Sequence, residues 1–206
     1  MPSQPTRIGS DVRLIDAAEA GLIESGGHIE MLAVAKRAGL SVGVAYHHFG
    51  SKTGLIAAVV DRFYGPIRDI AFGNENADWR LRERERTRAL IDYHYDHPFA
   101  PLVAGRLARE PQVLDLEHAH RDALLAEGAR NLRSGQKQGV VSPDLDPEIT
   151  IAMLMGGLRL AIDQAILGDK RPDRDDLYEQ VWRFIEGALG LHHDDSAKRD
   201  GGSRVA

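Results

Sequence analysis

Apolar residues recur at three- and four-residue steps almost from end to end of this chain, and no run alternates strictly between polar and apolar. The pattern predicts helices. Ser10 and Asp11 are candidate N-caps for the first, whose apolar stripe is Leu14, Ile15, Ala18 and Leu22, and Ser25-Gly26-Gly27 ends it. A short second helix is expected over 30–38, stopped by Gly39, and Ser41 caps a third that runs to Phe49. Gly50-Ser51 breaks it, and a longer helix begins at Lys52 and fades near Phe72-Gly73. The next spans are 77–97, stopped by Pro98, then 101–110, then 111–137, closed by Gly139. A loop over 142–146 leads to Pro147, which suits a first helical turn. The helix over 147–167 is apolar nearly all round, and the last, over 173–191, carries Leu177, Val181, Phe184, Ile185 and Ala188 on one stripe.

These elements predict an all-α fold of about nine helices. A small three-helix unit occupies 1–55, a helical body 56–191, and a polar, glycine-bearing stretch over 192–206 reads as a disordered tail.

Composition narrows the chemistry. The 206 residues are 43% hydrophobic and 28% charged, values of a folded globular chain. There are 26 Lys and Arg against 31 Asp and Glu, a net charge of −5, so any nucleic-acid surface has to be local. No cysteine is present, which removes disulfides, thiolate zinc sites, iron–sulfur clusters and cysteine nucleophiles. The most apolar stretch, Ile149 to Leu158, is interrupted by Arg159 and falls short of the roughly 20 residues of a membrane span. Met1 to Asp11 lacks the apolar core of a secretory signal. The expectation is a cytoplasmic protein with no membrane partner.

The informative stretch is LAVAKRAGLSVGVAYHHFGSKTGL, Leu32 to Leu55. It reads as helix, glycine turn, capped helix, sharp turn, helix. Val34, Ala35 and Ala38 give the small apolar face that lets two short helices cross closely, and Gly39 makes the turn. This is the pattern of a helix-turn-helix, whose second helix enters a major groove.

Ala38-Gly39-Leu40-Ser41, followed by Tyr46-His47-His48-Phe49 and Ser51-Lys52, resembles the helix-turn-helix of the tetracycline-repressor (TetR) family of transcriptional regulators, over about Asp11 to Tyr64. The resemblance implies that Val42 to His48 is the recognition helix. It places Tyr46, His48 and Lys52 at phosphates, with Ser41, Val42, Gly43, Val44 and His47 completing the DNA-binding set. Phe49 is expected to plug the core of the small unit. The chain departs from the family pattern at Ile29-Glu30, where a Ser or Thr usually starts the second helix. Val42, Val44 and Ala45 stand where polar or larger residues are common. Base readout would then rest on thymine methyls, on His47 or on DNA shape. Arg7 is a candidate minor-groove arm.

No HExxH, P-loop, GxGxxG or GxSxG occurs. His94 and His97 lie three apart and His118 and His120 two apart, which invites a metal reading but closes no ligand set. No enzyme, metal site or cofactor is expected. Gly156-Gly157 lies within an apolar helix and reads as a place of close helix approach.

A head of this size contacts few base pairs, so specificity demands two half-sites and a two-fold dimer. The two C-terminal helices are the expected interface, with Trp182, Phe184 and Ile185 as its large side chains. The middle helices would enclose a small-molecule effector. Its candidate contacts are Phe63, Tyr93, His97, Leu102, Arg106, Leu125, Met155 and Arg159, apolar walls with a few polar groups. The function expected is a ligand-responsive regulator that binds a pseudo-palindromic operator as a homodimer and is released by its effector. The alternative is a small-molecule- or metal-sensing helical protein without sequence-specific DNA binding, which the cancelling charges of the first 55 residues support.

Overall fold

A computed structural model describes residues 9–73, 78–107 and 111–191. Among them lie nine helices: α1 (Ser10–Ser25), α2 (Met31–Arg37), α3 (Val42–Phe49), α4 (Lys52–Phe72), α5 (Trp79–Asp96), α6 (Ala100–Ala104), α7 (Pro111–Lys137), α8 (Pro147–Leu167) and α9 (Arg174–Leu189). Arg7 and the 192–206 stretch lie outside the described residues.

Most ends follow local chemistry. Gly26 closes α1 in the left-handed conformation at φ 66°, and its N–H and that of Gly27 reach the carbonyls of Ile23 and Leu22. Ser41 caps α3 by accepting from the Val44 N–H, and Ser51 caps α4 by accepting from Gly54 at 3.0 Å. Asp146 caps α8 through Ile149 at 2.9 Å, with Pro147 in its first turn.

Three expectations need correction. Ser10 and Asp11 are not caps: Gly9 is the N-cap of α1, and both lie inside its first turn. The expected 101–110 helix ends at Ala104, where Gly105 caps it. In α9, Phe184 leaves the buried stripe and is 52% exposed, while Trp182 and Tyr178 join it.

Two hydrophobic clusters hold the chain. The first joins α1, α2 and α3 to α4 and continues into Phe99, Ala100, Val103, Leu107 and Val113. The boundary at 55 falls inside α4, whose Val59, Val60, Phe63 and Tyr64 extend the same cluster. The second cluster packs α5, α7, α8 and α9 around Trp79, Ile91, Ile162 and Trp182. Helix α4 thus runs from one cluster toward the other, through Gly65-Pro66, where the proline supplies no N–H to the helix ladder.

Helix α8 is long and apolar enough, by length and composition, to cross a membrane. It packs against α7 and α9, yet Ile149, Met153, Leu160 and Leu167 remain exposed, with Gly156 and Gly157 in the same stripe. The Phe184 ring lies beside Gly157, where an added Cβ would stand 3.4 Å from it.

Candidate DNA-binding face and effector cavity

Helix α3 stands on the surface of the first cluster. Ala45 is fully buried and anchors it, so this residue belongs to the core and offers nothing to a groove. Val42 and Val44 are half-buried against the same cluster, as is Phe49. The outward face carries Ser41, Gly43, Tyr46, His47 and His48, and Lys52 follows at the exposed start of α4. Tyr46 is 50% exposed.

Several cations in and beside the head are engaged within the protein. Lys52 Nζ stands 3.6 Å from Glu30, and Arg37 pairs with Glu24. Arg13 donates to the Ala38 carbonyl, and Arg62 pairs with Asp16 and Glu19. Of the cancelling charges in the first 55 residues, Arg37 with Glu24 and Lys52 with Glu30 are ion pairs in the fold. The Ser10 hydroxyl lies 2.7 Å from His48 Nε2 and ties the start of α1 to the end of α3. Ser10 was readable only as a cap, because its partner is 38 residues away.

The body holds an elongated cavity between α4, α5, α7 and α8. An inner chamber of about 150 Å³ runs from Ile67 to Trp79, Leu132 and Leu189, and an outer one of about 350 Å³ opens toward His118 and Arg121. The chambers adjoin, because both are lined by Ile67, Leu90, Leu124, Met155 and Leu158.

Of the eight contacts expected from sequence, Leu125, Met155 and Arg159 line this cavity. Phe63 borders only a void of about 10 Å³ beside Arg159. Tyr93 and His97 pack on the Phe63 ring, and the Tyr93 hydroxyl donates to the Phe63 carbonyl at 2.8 Å. Leu102 packs on the first cluster. Arg106 turns away to the α1–α2 turn, donating to the Gly26 carbonyl at 2.9 Å and lying against His28. Its aliphatic stem fills the space above Gly27, whose φ is 104°.

At the outer chamber, Arg159 donates to Asp163 at 3.0 Å and to Glu117 at 3.2 Å, and the Tyr64 hydroxyl donates to Glu117 at 2.6 Å. Burial pushes the Tyr64 phenol well above the ordinary tyrosine range. Burial alone would lower Arg159, but Tyr64, Asp163 and Glu117 more than reverse it and the guanidinium stays charged. His94 lines the same chamber with Nδ1 on the Leu90 carbonyl at 2.8 Å. His120, buried between α4 and α7, meets Arg68 at 2.8 Å and Asp61 at 3.1 Å. Burial first, and then Arg68, lowers its pKa.

Comparison with known proteins places this geometry. Residues 14–59 match the model of bacterial regulatory proteins of the tetR family. The transcriptional regulator UidR of Escherichia coli (strain K12) is 30% identical over 165 residues, covering 74% of this chain and 78% of its own. This chain belongs to the TetR family of transcriptional regulators.

The fold agrees. The fatty acid degradation regulator FadR of Bacillus halodurans superposes with a TM-score of 0.72 at 20% identity, over 93% of this chain and all of the other. A regulator from Saccharomonospora viridis, solved in complex with choline, gives 0.67 at 22% identity over 86% and 95%.

The TetR fold also explains what the sequence left open. Arg159 within an apolar helix announced a need for counter-charge, and Asp163 sits one turn on, at the spacing where helix side chains meet. Glu117 and Tyr64 carried no such signal, since each reaches Arg159 from another helix.

Proposed function

We propose that two copies of this chain bind a pseudo-palindromic operator through α3, pair through α8 and α9, and release the DNA when a small molecule fills the α4–α5–α7–α8 cavity. The head is 1–55 and the regulatory body 56–191. The observation that carries the reading is the exposed face of α3, where Gly43, Tyr46, His47 and His48 stand clear of the core on a helix capped by Ser41 and followed by Lys52. Tyr46, His48 and Lys52 are the phosphate contacts; Val42, Gly43, Val44 and His47 face bases.

Pairing through α8 accounts for its exposed stripe. Ile149, Met153, Leu160 and Leu167 with Phe184 would leave water, and Gly156-Gly157 allows a second backbone to come near. Trp182 and Ile185 are buried inside the monomer and hold α9 in place from behind. A cytoplasmic location and repression, both usual for the family, complete the proposal.

The switch follows from α4. Its first turn carries Lys52 beside α3 and its Tyr64 reaches the cavity, so a ligand that moves Tyr64 moves the head. Such coupling needs different ligand affinity in the two states, commonly worth about 1–3 kcal/mol.

A second reading, sensing without sequence-specific DNA binding, draws on the paired head cations Lys52 and Arg37 and on Arg62 beside the head, paired to Asp16. Fluorescence anisotropy on the DNA flanking the protein's own gene, across a salt series, separates the two. Saturable binding that beats random DNA and weakens steeply with salt supports the operator reading, because phosphate contacts release counterions. Binding no better than random DNA, at that site and in a genome-fragment selection, favours the second reading.

A further inference from the structure

The inner chamber, about 150 Å³, is walled mainly by apolar side chains, among them Ile67, Trp79, Leu132, Ile151 and Leu154, with Glu83, Arg86, Thr87, Glu127 and Asn131 also along it. An apolar space of that size takes a benzene ring. The outer chamber ends at Tyr64, His94, Glu117 and Arg159, and here the chemistry is lopsided toward acceptors.

Arg159 is the cation inside this end, and it is spent. Its guanidinium meets Asp163, Glu117 and the Tyr64 hydroxyl together. Glu117 takes both Tyr64 and Arg159 on Oε1, so Oε2 has no partner among the described residues. His94 bonds a carbonyl through Nδ1, which therefore carries the proton and leaves Nε2 as a bare lone pair. Asp163 and Glu117 together set two carboxylates against the one guanidinium of this network, and Glu117 is the carboxylate that lines the chamber. Arg121 and His118 lie farther out, exposed at the mouth, with Arg121 paired to Asp122 at 3.2 Å. Water screens them there, while Glu117 acts from a side chain only 15% exposed.

We propose that the effector is an amphipathic amine: a protonated amine head held by Glu117 and His94, on an apolar tail of about ring size in the inner chamber. The ammonium donates charge-assisted hydrogen bonds to Glu117 Oε2 and His94 Nε2. A cation at Glu117 also competes with the Tyr64 hydroxyl, so occupancy loosens α4 from α7 and gives the ligand its differential affinity. The inference rests on the proposed effector cavity and assigns its ligand class.

The test uses the whole chain and three probes sharing one tail: phenylbutylamine, phenylbutanol and phenylbutyrate. Calorimetric titration reads binding without DNA, and Trp79 in the inner-chamber wall gives an independent fluorescence signal. The expected order is amine, alcohol, acid, with the amine about tenfold tighter than the acid. Glu117→Gln should bring amine and alcohol to equal affinity, with helical circular dichroism and a cooperative melting curve showing that the variant is folded. An acid that binds as well as the amine overturns the proposal, as does an amine preference that survives Glu117→Gln. So does the absence of binding by all three probes. The operator assay is run separately, so a protein that binds its operator but not the amine loses this ligand class and keeps the regulator reading. One that binds the amine but no operator does the reverse.

Discussion

His48, at the end of the recognition helix, has its Nε2 2.7 Å from the hydroxyl of Ser10, at the start of α1. The contact joins the two ends of the head across 38 residues and holds the imidazole in one orientation. Ser10→Ala should therefore weaken operator binding without changing the fold. A single hydrogen bond is worth about 0.5–1.5 kcal/mol, so the loss should be roughly 2- to 10-fold. Anisotropy titration with a melting curve checks it. An unchanged operator affinity would show that the orientation of His48 does not matter to DNA.

Lys52 has a competitor for DNA phosphate. Its Nζ stands 3.6 Å from Glu30, and both side chains are exposed. Glu30→Gln should free the lysine, tighten binding to operator and random DNA alike, and steepen the salt dependence. Lys52→Ala should weaken binding across all sequences and reduce the slope of log affinity against log salt by about one. A salt series on wild type and both variants decides it. A slope unmoved by Lys52→Ala would remove this residue from the interface.

Most of the fold was legible because helix ends are written locally. Ser41, Pro147, Gly26 and Gly139 each announce a boundary through their own backbone or side-chain chemistry, and between them they mark an end of α1, α3, α7 and α8. The choice of face was less legible. Ala45 is buried because α1, α2 and α4 close over it, which no spacing within eight residues of α3 could reveal. Trp182 is buried and Phe184 exposed for the same reason: α5 supplies Arg84 over the Trp182 ring, while the Phe184 ring lies beside Gly157 and stays 52% exposed. Arg106 serves the α1–α2 turn, 80 residues back, instead of the cavity. Long-range partners were the missing information at each of these positions.

Leu160 and Trp182 separate the dimer surface from the core. Leu160 is 70% exposed on the outer stripe of α8, and Trp182 is 2% exposed behind α9. Leu160→Glu should yield folded monomers in light scattering, with operator affinity lost through the loss of paired half-sites. Trp182→Ala should instead destabilise the chain by about 3–5 kcal/mol, the usual cost of emptying a large core site. Leu160→Glu that remains a dimer would move the interface away from the α8 stripe.

Stability should fall in mild acid, and His94 is one reason. Burial is the largest cause of its lowered pKa, with Arg159 and His97 adding to it and the Leu90 carbonyl and Asp163 opposing. An unfolded histidine titrates near about 6.5, so between that value and the lower folded one the unfolded chain binds more protons than the native chain. Stability then rises with pH through this window and is fully present above it. It is lost as pH falls toward the folded value, below which the penalty is complete. His97 and His120 are lowered as well, both mainly by burial, and act in the same direction. His94→Gln removes one titrating group from the cavity wall, so its melting temperature should fall less steeply below about pH 6.5 than that of the wild type. Parallel melting curves across that window, in variant and wild type, would show that the His94 imidazole is as readily protonated in the native chain as in the unfolded one.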